Sequence, residues 1–145
     1  YGDPFMDTLL ILLNGRMNEF TGLDLIPTYS YWRFYETGDD LKYHKDRESC
    51  EISTTIPLGY DYSNLEDPDY NWSIWVENNK QEKIQAPLRP GDLLVYKGCE
   101  LAHWRDEFKG LHQAQVFCHY NNKNGPYNNM NDGRPGLGVP KNWRK

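Results

Sequence analysis

Residues 28–36 read T-Y-S-Y-W-R-F-Y-E, and the period of this stretch decides the fold class. Tyr29, Tyr31, Arg33 and Tyr35 alternate with Ser30, Trp32 and Phe34. An extended chain therefore presents two different faces, and its aromatic side chains suit a pleated surface. Such a strand needs partners, and the chain beyond it supplies them. After a T-G-D-D turn at 37–40, residues 51–58 (E-I-S-T-T-I-P-L) are β-branched, with Pro57 marking a strand end or an edge. Residues 72–77 (W-S-I-W-V-E) read as another strand, and the Pro90-Gly91-Asp92 turn introduces a short one at 93–96. Residues 99–104 and 112–120 complete the set. Residues 61–70 hold Asp61, Glu66, Asp67 and Asp69 with no basic residue and read as a polar loop.

On the N-terminal side the period changes to that of a helix. Asp3 can cap it and Pro4 suits its first turn. Met6, Leu9, Leu10, Leu13, Met17 and Phe20 recur at three- and four-residue steps, and Gly22 is a natural stop. Residues 3–20 thus predict one amphipathic helix covering one face of a sheet. There is no internal repeat and no βαβ alternation. The expectation is a mainly β domain over residues 1–120, with its strands between 28 and 120, folded as an antiparallel sandwich or jelly roll. Residues 121–145, dominated by Asn, Gly and Pro, read as a turn-rich tail.

Composition narrows the function classes. The 145 residues carry 16 Lys and Arg against 21 Asp and Glu, a net charge of −5, the wrong sign for holding phosphate backbones by bulk charge. Mean hydropathy is −0.86, and the longest apolar stretch, residues 9–13, is far short of the roughly 20 residues that span a bilayer. Neither a nucleic-acid nor a membrane partner is expected. Cys50, Cys99 and Cys118 have no C-x-x-C spacing, which points to a reducing, cytoplasmic setting rather than a disulfide scaffold. Composition says nothing about oligomeric state.

Of the four histidines, His44 sits in Y-H-K-D-R, giving His44-x-Asp46. Two residues apart on an extended segment, the imidazole and the carboxylate face one way. Two His and one carboxylate with positions left open suit non-haem Fe(II), although an isolated H-x-D is more often a polar surface turn.

The ordered pattern across residues 23–121 resembles the 2-oxoglutarate- and Fe(II)-dependent oxygenases, and particularly the prolyl-hydroxylase-like group. A strand ending in Tyr35 precedes His44-x-Asp46. Then come S-T-T-I-P-L, a Trp-containing strand, and L-R-P-G-D-L-L-V-Y leading into G-C-E-L-A-H-W-R. The resemblance implies a double-stranded β-helix with His44, Asp46 and His103 as iron ligands, 2-oxoglutarate as co-substrate and O2 as oxidant. The product would be a hydroxylated C–H bond on a peptide side chain or a small amino-acid-like molecule, with succinate and CO2 released. The carboxylate of Asp46 favours hydroxylation over halogenation. In such enzymes a cation on the strand after the second His anchors the far carboxylate of 2-oxoglutarate. This sequence departs from that pattern, because the strand opens with His112 followed by Q-A-Q-V-F-C-H-Y. His112 is ranked first as the anchor and Arg105 second, with Lys109 and Arg47 as further cations. Tyr35, Ser53 and Thr55 match positions that line the co-substrate pocket, and His119 is expected to face away from it. The alternative reading keeps the jelly roll as a cupin-like metal- or ligand-binding module or an inactive oxygenase homologue.

Overall fold

The computed structural model describes residues 1–130; of the tail expected over 121–145, residues 131–145 lie outside the described residues. The helix α1 spans Pro4–Thr21 and is set by the signals read above. The Asp3 carboxylate accepts from the backbone N–H groups of Phe5 and Met6 at 2.9 and 3.1 Å. Gly22 ends the helix in the left-handed region at φ 70°, its N–H bonding the Asn18 carbonyl at 2.9 Å. Leu10 and Met17 are buried, with Met6, Leu9, Ile11 and Leu13 packed beside them. Phe20 departs from the expected stripe and is 76% exposed. Three residues on from Met17, it is rotated by about 60° away from the buried line, in the final turn.

Eight strands follow among the described residues. They are β1 (Leu25–Glu36), β2 (Leu41–His44), β3 (Ile52–Asp61), β4 (Ile74–Glu77), β5 (Lys83–Ala86), β6 (Leu94–Tyr96), β7 (His103–Arg105) and β8 (His112–Asn122). They form two antiparallel four-stranded sheets, ordered β1-β8-β3-β6 and β2-β7-β4-β5. The fold is the expected jelly roll with an N-terminal helix. The strand expected over 99–104 narrows to His103–Arg105 because residues 97–101 are taken up by a turn, in which the N–H groups of Glu100 and Leu101 bond the Lys97 carbonyl. The sequence reading did not single out β2 or β5. The four residues of β5, K-I-Q-A, lie at a sheet edge with three of them exposed, Ile84 included, so the strand is short and its apolar positions do not mark a core face. The last strand runs two residues past 120. Pro57 sits inside β3 beside a bulge, beyond the Ser53–Thr55 segment that β6 pairs, so one side of it is edge-like.

The central strands of the first sheet are covered on both faces. Ile52, Val116, Cys118 and Tyr120 meet α1, and the Tyr120 hydroxyl donates to the Leu10 carbonyl at 2.8 Å. Residues of opposite parity, Tyr29, Tyr31, Arg33 and Tyr35 on β1 with Phe117 and His119 on β8, face the cavity between the sheets. Trp72 and Phe108 close its inner end against Tyr35 and Phe117.

Candidate metal centre

His44, at the end of β2, lies directly opposite His103 of β7 in the ladder. Opposed residues of an antiparallel pair share a face, and the two imidazole centroids are 4.3 Å apart. Two residues beyond His44 the chain turns, and the Asp46 N–H bonds the Gly98 carbonyl at 2.9 Å. This brings Asp46 Oδ1 to 3.5 Å from His44 Nε2 and 3.6 Å from His103 Nε2. One ligand atom from each of the three residues falls within 4.8 Å of the others. Atoms that each lie about 2.1 Å from one ion sit roughly 3–3.5 Å apart, so the spacing is that of a shared ion. Both imidazoles are oriented for that task, with His44 Nδ1 against the Lys42 carbonyl at 2.6 Å and His103 Nδ1 against the Leu101 carbonyl at 3.0 Å. A backbone acceptor at Nδ1 holds the proton there and leaves Nε2 as the ligand. The residues present therefore fit a metal ion.

Electrostatics agree with this arrangement. Burial pushes the Asp46 carboxyl up, but the contacts from His103 and His44 outweigh it and hold the carboxyl well below the usual range. The contact with Asp46 lifts the His44 imidazole against burial. A bound cation takes the place of the proton that these groups otherwise share. Gly98 makes the close approach possible. A Cβ there would stand 2.5 Å from Asp46 Oδ2 and from the Cys50 carbonyl oxygen, and nearer still to the Ser53 hydroxyl.

Ser53 lies beneath the carboxylate, its hydroxyl 3.1 Å from Asp46 Oδ2 and 2.9 Å from His119 Nδ1. It is a support of Asp46 rather than a neighbour of the expected anchor. His119 does not face away. It is 5% exposed and lines the cavity, with its ring 4.6 Å from that of Tyr29. His112 is the residue that points out of the cavity; it is exposed and its ring is 5.0 Å from that of exposed Phe34. On β8 the odd-numbered positions face the cavity, so Gln113 and Gln115 are buried there while His112 falls on the other face, at the strand's first position.

Arg105, the cation ranked second, is buried, whereas His112 is exposed. Arg105 lies two residues after His103 on β7, on the same face, and is 2% exposed. Its guanidinium donates to the Trp72 carbonyl and, at 3.4 Å, to Thr55 Oγ1, and lies 4.9 Å from the centroid of the Trp72 ring. Nε has no hydrogen-bond partner, and no carboxylate among the described residues pairs with the side chain. Burial lowers its pKa to about 10, and the neighbouring phenols of Tyr35, Tyr96, Tyr62 and Tyr70 offset only part of that. Thr55 Oγ1 also accepts from Gln115 Nε2 at 2.7 Å, so its own hydrogen can be given to an acceptor. Tyr35 lines the cavity, its phenol pushed up to about 12 by burial.

The sequence reading missed three residues here: Gly98, which carries no polar group to draw attention; Cys50, buried with Sγ 3.0 Å from the Tyr29 hydroxyl; and Arg33. The signal for Arg33 was in the alternation of β1, which sets it among the inward tyrosines.

No family model and no curated protein matches the sequence. Solved structures do. A prolyl-4-hydroxylase from Pseudomonas putida aligns with a TM-score of 0.60 at 16% identity, covering 77% of this chain and 62% of its own. An oxidoreductase of the 2OG-Fe(II) oxygenase family from Burkholderia pseudomallei aligns at 0.65 and 16% identity, covering 79% and 56%. The non-haem α-ketoglutarate-dependent epimerase SnoN from nogalamycin biosynthesis aligns at 0.67 and 13%, covering 96% and 66%. The chain thus spans a little more than half to just under two thirds of the length of these proteins. These likenesses show the fold: a prolyl-hydroxylase-like jelly roll of the kind used by 2-oxoglutarate- and Fe(II)-dependent oxygenases.

Proposed function

We propose that this chain is the catalytic domain of an Fe(II)- and 2-oxoglutarate-dependent oxygenase that hydroxylates a C–H bond of a small molecule or a single side chain, releasing succinate and CO2. The observation that carries this reading is the convergence of His44 Nε2, His103 Nε2 and Asp46 Oδ1, with both Nδ1 atoms tied to backbone carbonyls. Two His and one carboxylate on one side of an ion leave further positions open. Fe(II) with 2-oxoglutarate and O2 supplies the oxidising chemistry when bound. The chain's own tasks are to hold, orient and shield. His44, Asp46 and His103 hold the ion, and Ser53 fixes the outer oxygen of Asp46 so that the inner one faces the imidazoles. Arg105 meets the far carboxylate of 2-oxoglutarate, with Thr55 donating its hydroxyl hydrogen to the same group. A buried cation without an acidic partner is costly unless an anion completes it, and a dicarboxylate does so. Tyr35, Trp72, Phe108 and Phe117 keep water from that end. The likeness to a prolyl-4-hydroxylase and to an epimerase supports the co-substrate and leaves the reaction outcome to the substrate.

The test is anaerobic loading with Fe(II) and 2-oxoglutarate, read by a visible charge-transfer band and, on admitting O2, by succinate. His44→Ala protein is expected to lose the metal, the band and the succinate while keeping its far-UV spectrum. Undiminished metal in this variant sinks the triad.

A further inference from the structure

Two amide side chains stand on the inward face of β8, Gln113 at 2% and Gln115 at 0% exposure. They are links in one chain of hydrogen bonds. The Tyr62 hydroxyl donates to Gln113 Oε1. Gln113 Nε2 donates to Gln115 Oε1 at 2.9 Å, and Gln115 Nε2 to Thr55 Oγ1 at 2.7 Å. The last link runs diagonally across the ladder, because Thr55 stands opposite Phe117, two residues from Gln115. The chain begins outside the sheet. Tyr62 follows β3 directly and is half-buried, its ring stacked on Tyr60 at 4.1 Å and edge-on to Tyr70 at 4.9 Å. Burial pushes its phenol up to about 12, so the hydroxyl keeps its hydrogen in neutral solution.

Every donor in this chain points the same way, and the sense matters at the inner end. A hydroxyl has two lone pairs and one hydrogen. Thr55 Oγ1 accepts from Gln115 and, at 3.4 Å, from Arg105 Nη2, so both lone pairs are used and the hydrogen has to leave the chain. No described residue accepts it. Turning both amides over would let Thr55 donate to Gln115 and end the chain at Tyr62. The observed sense instead leaves a hydrogen to give beside the Arg105 guanidinium, whose Nε also lacks a partner. Each bond in a buried chain polarises the next, so the amides hold the Thr55 hydroxyl in one orientation.

Resting on the oxygenase reading above, with Arg105 and Thr55 as its anchor, we propose that Tyr62, Gln113 and Gln115 are positioning residues: they hold the Thr55 hydroxyl with its hydrogen toward the far carboxylate of 2-oxoglutarate. None of the three touches the co-substrate. They act through Thr55, and Tyr62 ties the loop after β3 to the same site.

The experiment titrates 2-oxoglutarate by calorimetry into anaerobic protein preloaded with Mn(II). Thr55→Val is expected to weaken binding roughly tenfold, and Gln115→Met and Tyr62→Phe each roughly threefold, with Mn(II) affinity unmoved. In Thr55→Val protein, adding Gln115→Met or Tyr62→Phe is expected to weaken 2-oxoglutarate no further, because both act through the missing hydroxyl. In Thr55→Ser protein, which keeps the hydroxyl, both effects are expected to return. Residues that only pack would lower the melting temperature and leave 2-oxoglutarate binding unmoved, or weaken it equally with and without the Thr55 hydroxyl; either result overturns the proposal and leaves the anchor standing. Should Gln115→Met fail to fold, Tyr62→Phe at its half-buried ring carries the same comparison in both backgrounds. Wild-type protein that takes up Mn(II) and no 2-oxoglutarate sinks the oxygenase reading and the positioning chain together.

Discussion

Arg105 is the residue that the chain's own neighbouring groups explain least. A buried guanidinium pays heavily in lost hydration, and here its partners are one carbonyl, one hydroxyl and ring faces rather than a carboxylate. Structural and functional roles predict different outcomes for Arg105→Met. If the side chain only braces Trp72 and Thr55, the variant loses stability and nothing else. If it anchors 2-oxoglutarate, the melting temperature of the ligand-free protein holds or rises, because an unpaired buried charge has been replaced by an apolar chain. The 2-oxoglutarate concentration needed for half-maximal turnover then rises by roughly 10- to 100-fold, the size of one or two lost charged hydrogen bonds. Thermal melts without ligand and succinate assays across 2-oxoglutarate concentrations separate the two. Half-saturation that stays put removes Arg105 from the co-substrate site. The pairing of Arg105 with His103 follows from a two-residue step on one strand, which the sequence already displays as H-W-R. Counting ahead to the next strand put His112 first instead.

At the scale of elements, what was legible depended on whether an element has one dry face or two. The helix α1 has one, and its cap, stripe and stop could all be read, apart from Phe20 in the last turn. The strand β1 also alternates clearly, and its inward set of Tyr29, Tyr31, Arg33 and Tyr35 is the set that lines the cavity. The strand β8 is buried continuously from Gln115 to Asn121, so its alternation of polar and apolar residues does not separate solvent from core. Its cavity face is polar and its helix-side face apolar, which is why His112 and His119 were assigned to the wrong sides. The N-cap gives α1 its own prediction. Asp3→Ala removes both side-chain bonds to the first turn and is expected to lower stability by about 1 kcal/mol, read as a lower urea midpoint with an unchanged slope. The metal content should not move, because α1 packs on the face of the sheet away from the triad. A fall in metal content would show that the helix does more than cover the sheet.

For the molecule as a whole, the triad joins parts of the fold that are otherwise weakly tied. The strand β2 meets β7 at only two registered pairs, Leu41 with Arg105 and His44 with His103. Its sheet carries short strands of three or four residues, whereas the helix-covered sheet has β1, β3 and β8 of ten to twelve. Six of the eight strands were legible because local patterns and turns run in sequence. The meeting of His44, Asp46 and His103 was legible only through resemblance, since no local pattern encodes a ladder pair so far apart in the chain. An ion held by that meeting would clip β2 and the turn after it onto β7, and the clip would exist only in the folded state. A ligand that binds the native state alone, at a hundred times its dissociation constant, adds about 2.7 kcal/mol. For a domain of this size that is a rise of about 5–10 °C in melting temperature. Mn(II), which takes similar oxygen and nitrogen ligands without redox chemistry, serves as the probe under air. Wild-type protein is expected to show the rise on saturation with Mn(II) and to lose it with a chelator. Asp46→Asn protein should melt at one temperature whether or not Mn(II) is present, because the amide cannot supply the charge. A wild-type melt indifferent to the metal would mean that the three side chains meet without holding an ion.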